Sequence, residues 1–315
     1  MIAASYSQTG ASDVLTVGEI ETPQPGPGEV RVKLAVAGVN PTDWKARAGA
    51  TGSLGFPFQV PGQDGAGVID AVGEGVAKAW KGERVWVYLA AWQSPYGTAA
   101  EYTIVPVEKA VPLGDASFEL GASLGVPALT AYHCLFSDGP VEGKRVLVAG
   151  GAGAVGHFAI ELAKWGGAEV VTTVSSPEKA ELASAADVIV NYKEDGAADK
   201  IGKVDRVIEV ALGPNVELDL AVTNPGAAII SYAADQPTAE LPLRAAMTAN
   251  LAFKFMLLYT IPEPALHDAI GGVSKAVNVG ALTPQPLHRF PLAETAAAHD
   301  AVENGAVGKV VIDAA

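Results

Sequence analysis

The residues Gly151-Ala152-Gly153-Ala154-Val155-Gly156 carry the spacing G-x-G-x-x-G, and a backbone spaced in this way can cradle a pyrophosphate. Gly151 permits the tight turn, Gly153 lets the main chain approach the phosphates, and Gly156 lets a following helix pack close to the preceding strand. The amides of Ala154 and Val155 then fall at a helix N-terminus, whose dipole favours an anion. Such a motif is weak alone. Here Arg145–Ala149 precedes it as a short apolar run suited to a buried parallel strand, and a helix and a second strand, Glu169–Val174, follow. That context points to a dinucleotide.

The end of the second strand indicates which dinucleotide. An NAD site usually has Asp or Glu about 20 residues beyond the glycines, on the ribose hydroxyls. This chain has Ser175-Ser176-Pro177-Glu178-Lys179 instead, with no carboxylate at the strand tip to repel a 2′-phosphate. Two hydroxyls and the Lys179 ammonium could hold that phosphate, so the expected cofactor is NADPH. The same residues also read as the cap of the next helix, with Lys179 paired to Glu178 or Glu181, and the two readings are compatible.

Other constellations are less informative. Gly121-Ala122-Ser123-Leu124-Gly125 fits G-x-S-x-G, but the preceding Asp115–Leu120 reads as a capped helix start, whereas a nucleophile elbow needs a strand entering it. The five histidines lack H-x-x-x-H spacing and Cys134 is the one cysteine, so no metal site is expected. Asn40-Pro41-Thr42-Asp43-Trp44-Lys45-Ala46-Arg47 clusters an amide, a carboxylate and two cations after a strand. It reads either as a segment reaching an active site or as a helix start, with Asn40 as cap, Pro41 first and Asp43 completing the cap.

These groups need elements to position them. Val30–Val36 alternates as a half-buried strand, and Gly65–Val72 and Arg84–Leu89 read as further strands in a turn-rich, β-rich N-terminal region. Beyond the glycines the texture becomes α/β. Helix Pro177–Ala185 is followed by strands Val188–Tyr192, Val204–Val210, Ala227–Ser231 and Leu251–Leu258, about six strands with helical crossovers in all. Gly308–Ile312 reads as a closing strand of the first texture. The cofactor domain is therefore expected as an insertion: residues 124–262 form a doubly wound parallel-sheet domain, and residues 1–123 form a catalytic domain completed by 263–315.

With 315 residues, 49% of them hydrophobic and 18% charged, the chain can bury large cores. A formal charge of −14 disfavours nucleic acid and anionic membrane surfaces. No apolar run is long enough to span a bilayer. The first basic residue is Arg31, so no charged signal-peptide start is expected, and a lone cysteine gives no hint of an oxidising compartment. The expected location is cytoplasmic.

Several spaced segments together resemble a known family. Val39–Lys45, Pro61–Gly73, Leu129–Tyr132, Gly150–Gly156 and Gly308–Val311 occur in the order found in the zinc-free quinone oxidoreductase, or zeta-crystallin-like, branch of the medium-chain dehydrogenases/reductases. The resemblance spans essentially the whole chain. It implies a GroES-like distorted β-barrel catalytic domain and a Rossmann cofactor domain. It also implies that Asn40, Gln63 and about Val126 stand where zinc-dependent relatives have Cys, His and Cys, so hydrogen-bond donors must polarise the acceptor.

By the same resemblance Asn40 lies beside nicotinamide and substrate, and Asp43 holds that segment. Thr130 touches the nicotinamide side, and Gly153 and Val155 sit against the pyrophosphate. Ser175, Lys179 and Tyr192 define the 2′-phosphate pocket, and Phe255 passes the carboxamide. Tyr192 also reads as a surface aromatic at a strand end. Many quinone reductases have Tyr where this chain has Lys45, and the N-P-x-D-x-K form is similar to the alkenal and enone reductases. Lys45 could then donate to a substrate carbonyl. Trp44, Leu54, Phe56, Trp92 and Tyr96 are candidate pocket residues.

The expected activity is NADPH:quinone reduction, with enone or alkenal double-bond reduction as the alternative and a non-catalytic NADPH sensor or scaffold as a distant third. The expected partner beyond a small substrate is a second copy of the chain. Leu251–Leu258 reads as an edge strand too apolar to leave open.

Overall fold

At the start of the chain, β1 (Ile2–Ser5) and β2 (Thr16–Glu19) pair antiparallel. Then come β3 (Glu29–Val39), α1 (Pro41–Arg47), β4 (Asp64–Val72), β5 (Arg84–Val87), β6 (Tyr102–Pro106), β7 (Ala110–Pro112) and α2 (Phe118–Ser123). The alternation expected over 30–36 is present within the eleven-residue β3 and gives way to an unbroken buried run from Val36 to Val39. Val30, Val32, Leu34 and Val36 point into the core with Ile69, Val85 and Val105 from neighbouring strands. In this computed structural model, which describes residues 1–234 and 236–314, the chain divides into two units: Met1–Val126 with Pro284–Ala315, and Pro127–Thr283.

The second unit runs α3 (Leu129–Phe136), β8 (Arg145–Val148), α4 (Ala154–Trp165), β9 (Glu169–Val174), α5 (Pro177–Leu182), β10 (Val188–Asn191), α6 (Ala197–Ile201), β11 (Val204–Glu209), α7 (Leu212–Val222), β12 (Thr223–Ser231), α8 (Leu243–Thr248), β13 (Ala252–Phe255) and α9 (Glu263–Asn278). Its six strands are all parallel, in the order β10-β9-β8-β11-β12-β13. This is the doubly wound Rossmann order, with the direction of winding reversing between β8 and β11. Val146, Leu147 and Val148 are buried on both faces of the sheet, which explains their unbroken apolar run.

The chain then returns to the first unit as β14 (Leu287–Pro291), α10 (Thr295–Glu303) and β15 (Lys309–Asp313). These complete a seven-stranded sheet, β14-β15-β3-β4-β5-β7, with β6 paired to β3. The GroES-like β fold and the inserted parallel sheet are thus both formed. The chain leaves the first unit at 126/127 and re-enters it at 283/284, and α9 packs on α3 within the second unit.

Several elements differ in extent from the sequence expectation. The strand expected over 251–258 pairs only over Ala252–Phe255. Its partner β12 ends at Ser231, which accepts a last bond from Met256 N–H at 3.0 Å, and Leu258–Thr260 then turns into a short 3-10 segment. The helix expected over 177–185 ends at Leu182, where Ala183 N–H folds back to Ala180 carbonyl. Conversely, β12 starts four residues early: Asn224-Pro225-Gly226 reads as a turn, yet a bulge between the Val204/Thr223 and Arg206/Ala228 pairs absorbs it. No helix among the described residues is long and apolar enough to cross a membrane.

Two buried cations tie helices to neighbouring elements. Arg206 of β11 is 1% exposed. Its guanidinium donates to the carbonyls of Asp138 (2.8 Å), Gly139 (3.1 Å) and Leu135, satisfying the C-terminal end of α3. Arg47 of α1 is equally buried and pairs with Glu303 of α10 at 2.7 Å.

His299 of α10 is buried near Arg47. Burial, then the Arg47 charge, push its imidazole down to about 4 from 6.5, with Asp300 opposing. The unfolded chain therefore binds a proton between pH 6.5 and 4 that the native state refuses, and stability falls as pH falls through that window. Removing this group makes the acid limb shallower. Between pH 6.5 and 4, the stability of His299→Gln should fall by about 3 kcal/mol less than that of the unaltered protein in urea titrations. Parallel slopes would show that His299 does not govern the acid limb.

Candidate functional site

In the first unit, strand register assembles a buried polar cluster. Val39 of β3 faces Val310 of β15, and Gly38 faces Asp64 of β4. Asn40, the residue after Val39, therefore meets Lys309, the residue before Val310, with Asp64 alongside. Lys309 Nζ donates to Asn40 Oδ1 at 2.7 Å and to Val39 carbonyl at 3.4 Å, and lies 3.9 Å from Asp64 Oδ2. Asn40 Nδ2 donates to Asp64 Oδ2 at 2.7 Å, and Val126 N–H donates to Asp64 Oδ1 at 2.8 Å. Asp43 closes the start of α1 by accepting Asn40 N–H at 2.7 Å, so the helix-start reading of this segment holds.

All four side chains are at most 2% exposed. Burial raises both carboxyls, and the Asp64 charge raises Asp43 further. Burial lowers Lys309, opposed by the two carboxylates. Two glycines make room. A Cβ on Gly38 would lie 2.0 Å from Ala122 carbonyl and 3.0 Å from Lys309 Nζ, and one on Gly125 would lie 2.1 Å from Asp64 Oδ1. Gln63 Oε1 and Asp43 Oδ1 are buried and lack a hydrogen-bond partner among the described residues.

The donor chemistry here does not fit zinc. Asn40 and Gln63 offer neutral amides and Val126 an apolar side chain, where zinc takes thiolate, imidazole or carboxylate. The Asn40 amide is already engaged at both ends. Among the described residues no group of three His, Cys, Asp or Glu is placed to hold a metal.

Lys45 follows on α1, half-buried, with Nζ 5.8 Å from the centre of the Trp44 ring. Tyr96 packs edge-on against Phe58 at 5.7 Å, Leu54 and Phe56 are half-buried, and Trp92 is 36% exposed. Ser123 ends α2 with its hydroxyl donated to Glu119 carbonyl at 2.8 Å, so its G-x-S-x-G context is a helix end.

In the second unit, the glycine turn joins β8 to α4 as its spacing requires. A Cβ on Gly151 would lie 2.0 Å from Thr172 Oγ1 of β9, and one on Gly156 would lie 2.4 Å from Gly150 carbonyl. Close packing thus demands both glycines. Gly153 is the exposed N-cap of α4, and a Cβ there would meet only Gly150 carbonyl at 3.4 Å, leaving open space over the helix start. Ala154 and Val155 form its first turn, half-buried. This cradle fits a pyrophosphate.

At the end of β9, Ser176 caps α5 and its hydroxyl accepts Lys179 N–H at 3.4 Å. The Ser176 hydroxyl also holds the Glu178 carboxyl below its usual range. Lys179 forms no ion pair with Glu178 or Glu181 within 4.0 Å among the described residues, although the sequence allowed one, and Ser175 is half-buried beside it. Tyr192, just past β10, is 46% exposed, and Phe255, the last residue of β13, is 67% exposed. Thr130 is buried as the second residue of α3.

Sequence reasoning missed three groups. Lys309 was visible only as part of a Gly-Lys-Val-Val motif, although a lysine inside an apolar strand is itself a signal that a buried anion awaits it. Asp64, set among glycines, carried no such signal. The third is the buried pair Glu209, ending β11, and Asp219 of α7. Glu209 Oε1 accepts from Asn215 Nδ2 at 3.0 Å and from Ala211 N–H. Burial, then the Glu209 charge, push the Asp219 carboxyl up.

Comparison with known proteins agrees with both units. The alcohol dehydrogenase GroES-like domain family matches residues 26–115, and the zinc-binding dehydrogenase family matches residues 184–312. A quinone oxidoreductase of Lama guanicoe is 30% identical over 99% of this chain and 97% of its own. A 2-methylene-furan-3-one reductase of Solanum lycopersicum is 36% identical over 72% of this chain and 64% of its own. A mycobacterial protein solved in complex with NADPH has a TM-score of 0.85 at 29% identity, with 99% of each chain covered. With its parallel dinucleotide sheet, its GroES-like partner fold and a full-length relative at this identity, the chain belongs to the zeta-crystallin-like quinone oxidoreductase branch of the medium-chain dehydrogenases/reductases and is an oxidoreductase of that superfamily.

Proposed function

We propose that this oxidoreductase uses NADPH to reduce a quinone without a catalytic metal. The observation that carries this reading is the amide of Asn40, held by Lys309 and Asp64 at the position where the family resemblance implies a ligand in zinc-dependent relatives. Without a Lewis acid, the acceptor must be electron-poor enough to take hydride with hydrogen-bond donors alone, and quinones and enones meet that condition.

NADPH supplies a hydride when bound. Around it, the Gly151–Gly156 turn and the α4 N-terminus, through Gly153, Ala154 and Val155, receive the pyrophosphate. Ser175, Ser176, Lys179 and Tyr192 receive the 2′-phosphate, while Thr130 and Phe255 border the nicotinamide. The lack of a carboxylate at the β9 tip and the NADPH in the mycobacterial neighbour support that choice of cofactor. Asn40 donates toward the acceptor, Asp43 fixes the start of α1, and the Lys45 ammonium steadies negative charge developing on the acceptor oxygen. Water provides the proton that completes the hydroquinone.

A second reading, reduction of an enone double bond, is favoured by the 36% identity to the furanone reductase and by Lys45. The partner we propose for the exposed edge of β13, where Phe255 and Leu257 lie open, is a second copy of the chain.

Lys179→Ala should weaken NADPH binding at least tenfold and NADH binding by less than about twofold in fluorescence titrations, because only NADPH carries the 2′-phosphate. Equal losses would sink the 2′-phosphate assignment. The choice of acceptor is read from NADPH absorbance with a polycyclic ortho-quinone and, in parallel, a medium-chain enone. Turnover on the quinone alone is the expected result, and turnover on the enone alone replaces it with double-bond reduction. On the preferred acceptor, Lys45→Ala should lower kcat by about tenfold with cofactor affinity unchanged. An unaltered kcat would return Lys45 to its place as a surface charge on Trp44.

A further inference from the structure

Resting on the role just given to Asn40, we infer that Lys309 and Asp64 are positioning residues that set which way round the Asn40 amide stands, and so make it a hydrogen-bond donor to the acceptor. An amide side chain can turn over at almost no steric cost, so its direction is decided by what faces each end. Here the two ends meet groups of opposite character. The Lys309 ammonium can only donate, and it takes Asn40 Oδ1 at 2.7 Å. The Asp64 carboxylate can only accept, and it takes one Nδ2 hydrogen at 2.7 Å. The reversed amide would set N–H groups against an ammonium and an oxygen against a carboxylate in a site that is at most 2% exposed, where mispaired polar groups are most unfavourable.

Asp64 is in turn fixed by a main-chain donor that cannot turn over. Its Oδ1 accepts Val126 N–H at 2.8 Å, and its own carbonyl accepts the Thr98 hydroxyl at 2.7 Å. Gly125 lets that carboxylate sit against the main chain, and Gly38 lets the lysine reach in. The lock therefore runs from main chain to Asp64, to Asn40, to Lys309. It leaves the second Nδ2 hydrogen as the amide's remaining donor.

This chain of partners dictates how to reverse the amide without emptying the site. In Asp64→Asn the side-chain oxygen stays on the fixed Val126 N–H, so the new NH2 faces Asn40 and requires its oxygen. Lys309→Met removes the competing donor at the other end. The double change D64N/K309M discards both charges together, an exchange that buried pairs tolerate far better than the loss of one partner. Lys309→Met alone keeps Asp64 and hence the original direction. A charge-conserving swap, N40D/D64N, keeps every partner satisfied: position 40 accepts from Lys309 and from the new amide, but it can no longer donate.

The test measures kcat, KM and NADPH affinity for D64N/K309M, K309M, N40D/D64N and N40A on the acceptor that the unaltered protein reduces fastest. The expected result is a loss of about 100-fold in kcat for D64N/K309M and for N40D/D64N, matching N40A, with NADPH affinity within about twofold. K309M should lose less than about tenfold. The swap conserves charge and hydrogen bonds, so it remains interpretable should D64N/K309M fail to fold. If N40A loses turnover but D64N/K309M or the swap keeps it, the direction of the amide is irrelevant and this inference is overturned alone. If N40A keeps full turnover, the catalytic role of Asn40 falls, and the inference with it.

Discussion

An ammonium buried at 2% exposure is the constraint around which the first unit is organised. Lys309 cannot sit in the interior without anionic and carbonyl partners. The partners it finds come from β3, from the start of α1 and from β4. Removing one member of such a buried set would leave an uncompensated charge, an effect of about 3–5 kcal/mol. The register of β15 on β3, and of β3 on β4, is therefore enforced by polar pairing as well as by apolar packing. A one-residue slip would carry Lys309 to the opposite face. The same ammonium that helps fix the closing strand also takes one end of the Asn40 amide, whose other end Asp64 holds.

The second unit rests on a different principle. Its sheet is parallel and covered on both faces, so its strands are largely apolar, with Arg206 of β11 a buried exception. The glycine turn, the capped start of α5 and the Glu209–Asp219 pair lie at the C-terminal ends of β8, β9 and β11. Arg206, buried beneath them, anchors the end of α3 through main-chain carbonyls. Rigid strands with polar ends suit a ligand whose phosphates must be met by main-chain N–H groups and short side chains.

Ser176 illustrates how one residue can serve the fold and carry a proposed role together. It caps α5 by accepting Lys179 N–H, and that cap sets the start of the helix on which the Lys179 ammonium is carried. Asn40 does the same in the first unit, standing at the N-cap of α1 while its amide joins the buried cluster. The structural reading of each motif holds, and in neither place does it compete with the role proposed for it.

What the sequence determined by itself were the features written in local spacing. The glycines of the phosphate turn, the apolar strands around them, the cap at Ser176 and the helix start at Asn40-Pro41-Thr42-Asp43 depend on neighbours within a few residues, and each is formed. The order of segments along the chain was likewise enough to identify the family. Strand ends were less legible, because the length of β13 depends on where β12 stops and that of β12 on a bulge against β11. Only the tertiary structure decided the Lys309–Asn40–Asp64 lock and the Glu209–Asp219 pair. Lys309 lies 269 positions from Asn40 and Asp64 lies 24 away, so no periodicity links them. Their meeting is a consequence of strand register, and their chemistry a consequence of burial, neither of which is a property of any single stretch of the chain.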